Sequence, residues 1–200
     1  ASGAPTTYTG TDGVDLITLV NPGATDLRAD AENDFIGVNF TSATGTATNV
    51  SLRGGQGTDR FQFTGAAGGT LISSFIAGNQ GDDQMFTLGT ASLFTGSTVQ
   101  GGQGNDAINI GGSNGGTLIN GNRANDTITL AAAGTFTSSS IFGGQGNDTI
   151  TVGANGNLNT TLAGVSIDGA LGNDTITIND LAAASVNITV SGGAGQDIIN

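Results

Sequence analysis

Apolar residues recur along this chain at two fixed distances from a short Gly- and Asp-rich segment. That segment appears as GTDGVD (10 to 15), ADAEND (29 to 34), GGQGTD (54 to 59), GNQGDD (78 to 83), GGQGND (101 to 106), GNRAND (121 to 126), GGQGND (143 to 148), GALGND (169 to 174) and GGAGQD (192 to 197). Seven residues before each closing Asp stand Tyr8, Leu27, Leu52, Ile76, Val99, Ile119, Ile141, Ile167 and Val190. Two residues after it stand Ile17, Ile36, Phe61, Met85, Ile108, Ile128, Ile150, Ile176 and Ile199. Four residues after it the alternation continues with Leu19, Val38, Phe63, Ile110, Leu130, Val152 and Ile178, and Thr87 is the break. Alternation with a period of two is the signature of a strand with one buried face. Each repeat therefore predicts a strand, a six-residue turn, a second strand such as DTITL or DTITV, and a looser return of small polar residues such as GAAGGT (65 to 70) or GSNGGT (112 to 117).

The closing Asp residues fall at 15, 34, 59, 83, 106, 126, 148, 174 and 197, so successive intervals run from 19 to 26. A unit of about 23 residues cannot bury its own inner face, whereas stacking such units at about 4.8 Å builds a continuous apolar ladder. The expected fold is an all-β parallel β-solenoid of about nine coils, roughly 40 Å long at that spacing. Residues 1–200 read as one repeat domain with an irregular lead-in over 1–7 and an array open to continuation beyond 200. Variation in spacing is assigned to the return, where insertions cost little.

Composition then removes whole classes of function. The 200 residues include 36 Gly but no Cys, His or Trp, and four Arg without any Lys stand against 16 acidic residues, for a net charge of −12. Phosphate contacts need a basic surface, so no nucleic-acid partner is expected. The usual general bases and nucleophiles are missing, and the chain is not expected to be an enzyme. No apolar stretch approaches a membrane span, so no membrane insertion is expected. Absence of Cys is compatible with an extracellular protein that dispenses with disulfides.

Candidate chemistry sits in the turn. Position one is Gly except at Ala29, position four is Gly except at Glu32 and Ala124, and position six is always Asp. Gly at fixed offsets signals left-handed backbone or close approach. Stacking the coils aligns Asp15, Asp34, Asp59, Asp83, Asp106, Asp126, Asp148, Asp174 and Asp197 in one column along an edge. Adjacent unit charges about 4.8 Å apart repel by about 3 kcal/mol at an effective dielectric near 20. Such a column calls for cations, and carboxylate oxygens beside backbone carbonyls suit Ca²⁺ better than the stricter Mg²⁺. The competing reading is that Gly, Asn and Asp are ordinary turn residues capping the turn without any ion.

The segments GGQGNDTIT (143 to 151), GGQGNDAIN (101 to 109) and GGQGTDRFQ (54 to 62) resemble the RTX, or haemolysin-type, calcium-binding nonapeptide GGxGxDxUx. The resemblance implies a β-roll relative, Ca²⁺ held between successive turns, folding on calcium after secretion and an extracellular role. In the well-matched turns it implies metal ligands from the Asp column together with Gly57, Gly104 and Gly146. One departure is plain: RTX rolls run nonapeptides back to back, whereas here one nonapeptide occurs per coil, which puts metal turns on one edge and metal-free loops on the other.

Individual turns differ. Glu32 replaces a position-four Gly, and Arg123 is placed to neutralise a carboxylate, so these two turns are the weaker sites. Asp12, Asp26, Asp30, Asp168 and Asp180 read as solvated charges, and Asp82 as an occupant of the Asn position. The TxT pairs Thr127/Thr129, Thr149/Thr151 and Thr175/Thr177 are expected to point outward, a spacing reminiscent of ice-binding solenoids but shared by only three coils. NxS/T triplets such as Asn49 to Ser51 read as composition in an Asn- and Thr-rich chain. Resemblance to solenoid polysaccharide lyases stops at architecture.

These features point to an extracellular structural protein whose rods assemble end to end or side by side into a surface layer, matrix filament or fibre. The alternative is a calcium-dependent adhesin, stalk or binding module of a larger secreted protein, with a cell-surface polysaccharide as its partner. No polar capping element is expected at either end of the array.

Overall fold

Three parallel sheets wrap one apolar core in the computed structural model, which describes residues 6–41, 45–65, 69–88, 94–131, 134–153, 160–179 and 181–200. The first sheet holds the strands before the Asp turns: Thr6–Thr9, Thr25–Asp30, Val50–Gln56, Phe75–Gln80, Thr98–Gln103, Leu118–Arg123, Ser140–Gln145, Ser166–Leu171 and Thr189–Ser191. The second holds the strands after them: Leu16–Val20, Phe35–Phe40, Arg60–Gly65, Gln84–Leu88, Ala107–Ile110, Thr127–Leu130, Thr149–Val152, Thr175–Ile178 and Ile198–Ile199. Every pairing is parallel and joins one coil to the next, and no helix occurs among the described residues. The fold is an all-β parallel β-solenoid, and its coils have the length that the Asp spacing predicts.

Register follows the apolar ladder. Leu27 pairs with Leu52, Leu52 with Ile76, and Ile119 with Ile141, while across the turn Ile108 pairs with Ile128 and Ile128 with Ile150. These side chains are fully or almost fully buried. The ladder opens to solvent where it ends, at Tyr8 and at Ile199. Outward positions of the second sheet carry the TxT pairs in register, Thr127 beside Thr149 beside Thr175 and Thr129 beside Thr151 beside Thr177. Further down the same face Arg60 lies over the rings of Phe35 and Phe86, 5.8 and 5.7 Å from their centroids, where the cation covers aromatic faces left on the surface.

The return is not merely loop. It contains a third sheet of six strands, Thr46–Thr48, Thr70–Ile72, Phe94–Thr95, Ser113–Gly115, Thr135–Thr137 and Thr161–Ala163. Their inward residues Ala47, Leu71, Phe94, Asn114, Phe136 and Leu162 close the third side of the core. A further coil adds single bridges at Leu181 and Val186. Nine strands thus stack in each of two sheets, but only about seven turns are closed on three sides. Residues 66–68 of the GAAGGT return and Asp180 lie outside the described residues.

Spacing now has a structural cause. The first coil has no third strand and passes from Val20 to Thr25 directly, which gives the shortest interval, from Asp15 to Asp34. A third strand already fits in the next shortest, from Asp106 to Asp126, where Ser113–Gly115 supplies it.

Between the third and first sheets a second corner repeats. Asn49, Ser73, Gly96, Gly116, Ser138, Gly164 and Asn187 all take positive φ there, between 48° and 65°. The next position is a buried hydroxyl in Ser74, Ser97, Thr117 and Ser139. Ser74 and Ser97 accept the N–H groups of Val50 and Ser74 at 3.2 and 3.1 Å, and Ser139 accepts that of Thr117 at 3.2 Å. Each of these hydroxyls donates to a carbonyl, as Ser139 does to Thr137 at 3.0 Å. Buried polar groups in this corner are therefore satisfied on both sides.

Phe94 packs edge-on against Phe63, with centroids 5.3 Å apart and planes at 80°, and so ties the third sheet to the second. Phe94→Ala is expected to cost about 3–5 kcal/mol as a buried aromatic deletion. Thermal melts check it, and a loss below about 1 kcal/mol would mean that the third sheet contributes little.

Candidate functional site

The Asp turn is built by its backbone. Position two has positive φ in eight coils, at Asp30, Gly55, Asn79, Gly102, Asn122, Gly144, Ala170 and Gly193. Position four has it in eight as well, at Glu32, Gly57, Gly81, Gly104, Ala124, Gly146, Gly172 and Gly195. The pattern at position four was readable, whereas position two was not, because Asn, Asp and Ala share it with Gly. Position-four amides bond the position-three carbonyl of the next coil, Gly57 to Gln80 at 2.9 Å and Gly146 to Leu171 at 2.8 Å.

Position one needs Gly for a different reason. Its φ is ordinary, but a Cβ on Gly54, Gly78, Gly101, Gly121, Gly143 or Gly169 would overlap Oδ2 of the Asp closing its own turn. It would also press on a carbonyl of the next coil, 2.8 Å from Gly78 O in the case of Gly54 and 2.7 Å from Gly121 O in the case of Gly101. The absent side chain is the space the carboxylate fills. Gly57, Gly104 and Gly146, the carbonyls implied as ligands, lie in a tight stack of their own. A Cβ on Gly57 would overlap the Glu32 carbonyl, one on Gly104 the Gly81 carbonyl and one on Gly146 the Ala124 carbonyl.

All nine Asp residues come together in one column, and its geometry differs from an exposed edge. Asp34, Asp59, Asp83, Asp106, Asp126, Asp148 and Asp174 are at most 2% exposed, while Asp15 and Asp197 at the ends are half-buried. Each carboxylate points into its turn and accepts through Oδ1 the amide of the preceding Asp. The N–H groups of Asp15, Asp34, Asp59, Asp83, Asp106, Asp126, Asp148 and Asp174 donate in order to Asp34, Asp59, Asp83, Asp106, Asp126, Asp148, Asp174 and Asp197 at 2.7–2.9 Å. Glu32 and Arg123 do not interrupt this ladder. Arg123 is exposed and pairs with no acid among the described residues. Asp26, expected as a solvated charge, instead holds Arg53 at 2.9 Å and Arg28 at 3.7 Å.

A second ladder, unforeseen as such, runs on the exposed side. Position-five amides donate to the side-chain oxygen of the coil before: Thr58 to Asn33 at 2.7 Å, Asn105 to Asp82 at 2.7 Å, Asn125 to Asn105 at 3.1 Å, Asn147 to Asn125 at 2.6 Å, Asn173 to Asn147 at 2.8 Å and Gln196 to Asn173 at 2.8 Å. Asp82 does occupy the Asn position. Each turn is thus held forward by position six and backward by position five.

What remains unsatisfied is one oxygen per turn. Oδ2 of Asp34, Asp59, Asp83, Asp106, Asp126, Asp148 and Asp174 is buried without a hydrogen-bond partner. Desolvation drives these carboxyls upward, against the lowering effect of the amide bond and with help from neighbouring acids. Asp83 and Asp126 are pushed up to about 8, Asp106 to about 7, and Asp59 and Asp148 to about 6. Asp34 and Asp174 are raised as well.

An ionised, unpartnered oxygen in a dry turn is costly unless a proton or a cation joins it. The donor set suits a hard cation in kind, since Oδ2 and the next coil's position-one carbonyl border the same Gly Cα. In number it offers two oxygens per turn against the six to eight that Ca²⁺ takes, and no cluster of three acidic side chains forms among the described residues. A cation here would draw its other oxygens from water. Compared with known proteins, the chain matches no family model, no curated protein and no solved structure.

Two expectations follow from this geometry. Gly101→Ala should destabilise the rod by at least about 2 kcal/mol, in the range of overpacking, while Gly13→Ala, whose nearest neighbour is Thr11 Oγ1 at 3.8 Å, should be close to neutral. Denaturant unfolding of the pair checks this, and equal losses would remove the steric argument. In EGTA, the folded state with raised carboxyl pKa values binds more protons than the unfolded state between about pH 4 and pH 8, so stability should fall as pH rises through that window. Melting temperatures at pH 5 and pH 8 test the sign; a higher value at pH 8 would reject it.

Proposed function

We propose that this chain is a calcium-stabilised structural rod of RTX-like type, secreted or displayed at a cell surface, whose copies assemble side by side into a layer, filament or fibre. The observation that carries the metal is a choice of residue. Asn is common at the exposed position five, yet the buried position six is Asp in all nine turns. Asn at position six would keep the Oδ1 acceptor and direct an NH₂ donor at the position-one carbonyl, with no charge to bury. Carboxylates kept at the dry position are what a cation requires and what burial alone disfavours. Support for a structural role comes from the uninterrupted coil-to-coil stack and its flat outer faces, including the threonine columns of the second sheet.

Calcium titration of Asp126→Asn beside the parent protein tests the reading. The parent should bind Ca²⁺ by elemental analysis and melt at lower temperature in EGTA. Asp126→Asn should bind less Ca²⁺ and, in EGTA, melt above the parent. No bound calcium together with an EGTA-insensitive melt would overturn the metal. Electron microscopy with and without EGTA reads assembly directly, and single dispersed rods at high concentration in saturating calcium would favour a stalk within a larger protein.

A further inference from the structure

The turn at Gly10–Asp15 departs from the other eight, and its departure is chemical. Thr11 occupies position two, where every other turn has positive φ, and neither Thr11 nor Gly13 takes it. A β-branched residue resists the left-handed region, so this turn closes differently. Thr11 N–H donates to Asp15 Oδ2 at 2.7 Å, the Thr11 hydroxyl reaches Asp15 Oδ1 at 3.2 Å, and Gly13 N–H donates to that hydroxyl at 3.3 Å. Everywhere else in the column Oδ1 receives the amide of the preceding coil. Thr11 therefore supplies from within the turn what a preceding coil would supply, and the array does carry a capping element at this end.

At the other face Asp197 keeps the repeat geometry. It accepts Asp174 N–H at 2.9 Å, and its own amide has no further Oδ1 in the chain to meet. The apolar columns reach both faces, at Tyr8 on one and at Ile199 on the other, with 46% and 52% exposure. The two faces are the halves of a coil-to-coil contact already repeated eight times along the column, so a second copy of this chain is the occupant each would accept.

We propose that Thr11 is an intramolecular cap that holds the Asp15 carboxylate in its own turn and so restrains end-to-end stacking of a second copy onto this face. The inference rests on the rod being an assembling element, and it gives that assembly a polarity: growth by coil addition is blocked at the Asp15 face and open at the Asp197 face. Side-by-side association is left untouched.

Sedimentation of the full chain as wild type, Thr11→Gly, Thr11→Ser and the double variant Thr11→Gly/Ile199→Asp tests it. Thr11→Gly restores the GG pair of the Gly101 turn and should tighten self-association about five- to tenfold, the effect of removing one competing hydrogen bond. Its particles should lengthen along the rod axis in electron micrographs. Thr11→Ser keeps N–H and hydroxyl and should behave as wild type, and Ile199→Asp, which charges the opposite face, should cancel the gain. Wild-type association by a Thr11→Gly protein that melts as a folded rod overturns the cap, and so does a gain that survives Ile199→Asp. Failure of wild type to associate sideways tells against the structural reading only, because the cap is judged by the difference between variants.

Discussion

A buried carboxylate with one oxygen bonded and one bare is the constraint around which the rest of this solenoid is arranged. Its Oδ1 must meet an amide, which fixes the distance and register between neighbouring coils at the turn. Its Oδ2 must have room, which removes the side chain from position one. The amide ladder and the missing Cβ are two consequences of one group. Where a side chain is admitted, at Ala29, it stands beside the atypical first turn, and the column continues through Asp34 with the same 2.8 Å bond.

Three corners could each have been closed by backbone alone, yet two of them carry side-chain ladders of opposite chemistry. The hydroxyl corner at Ser74, Ser97, Thr117 and Ser139 is neutral and fully paired, because a hydroxyl accepts from one coil and donates within its own. The Asp corner cannot do this while ionised, since a carboxylate only accepts. Stability of a repeat array is close to a sum over nearest-neighbour contacts, so a penalty at this corner recurs at every step along the rod. Conversely, any proton or cation that relieves it acts at every step, and a modest local effect becomes a large one over the whole array.

Most of the fold was legible because its two main sheets obey period two around an invariant mark. Ile, Leu and Val at fixed offsets from each Asp admitted only one stacking register, and the structure has it. The third sheet was hidden by brevity: a strand as short as Thr135–Thr137 holds a single inward side chain, too few to show alternation. A recurring Thr-apolar motif in TAT, TLI, TFT and TLA was the available signal. The Asp column was legible as a column, but its inward direction was not, since turn composition says nothing of which side of the chain the carboxylate takes. The structural clue lay at position one, where Gly with ordinary φ means close approach and not conformational freedom.

The internal division of labour between Asn and Asp bears on what the column is for. Position five faces water, where an Asp would cost little, and the chain uses Asn in five of nine turns. Position six is dry, where Asn would satisfy both its donor and its acceptor, and the chain uses Asp throughout. Turn propensity does not distinguish the two residues strongly, and hydrogen bonding favours the reverse assignment. A proton on Oδ2 would reproduce the Asn donor and so explains no preference for Asp. A cation does explain it, because only the carboxylate supplies charge together with an unoccupied oxygen, and the preference falls on the one oxygen per turn that the protein itself leaves bare.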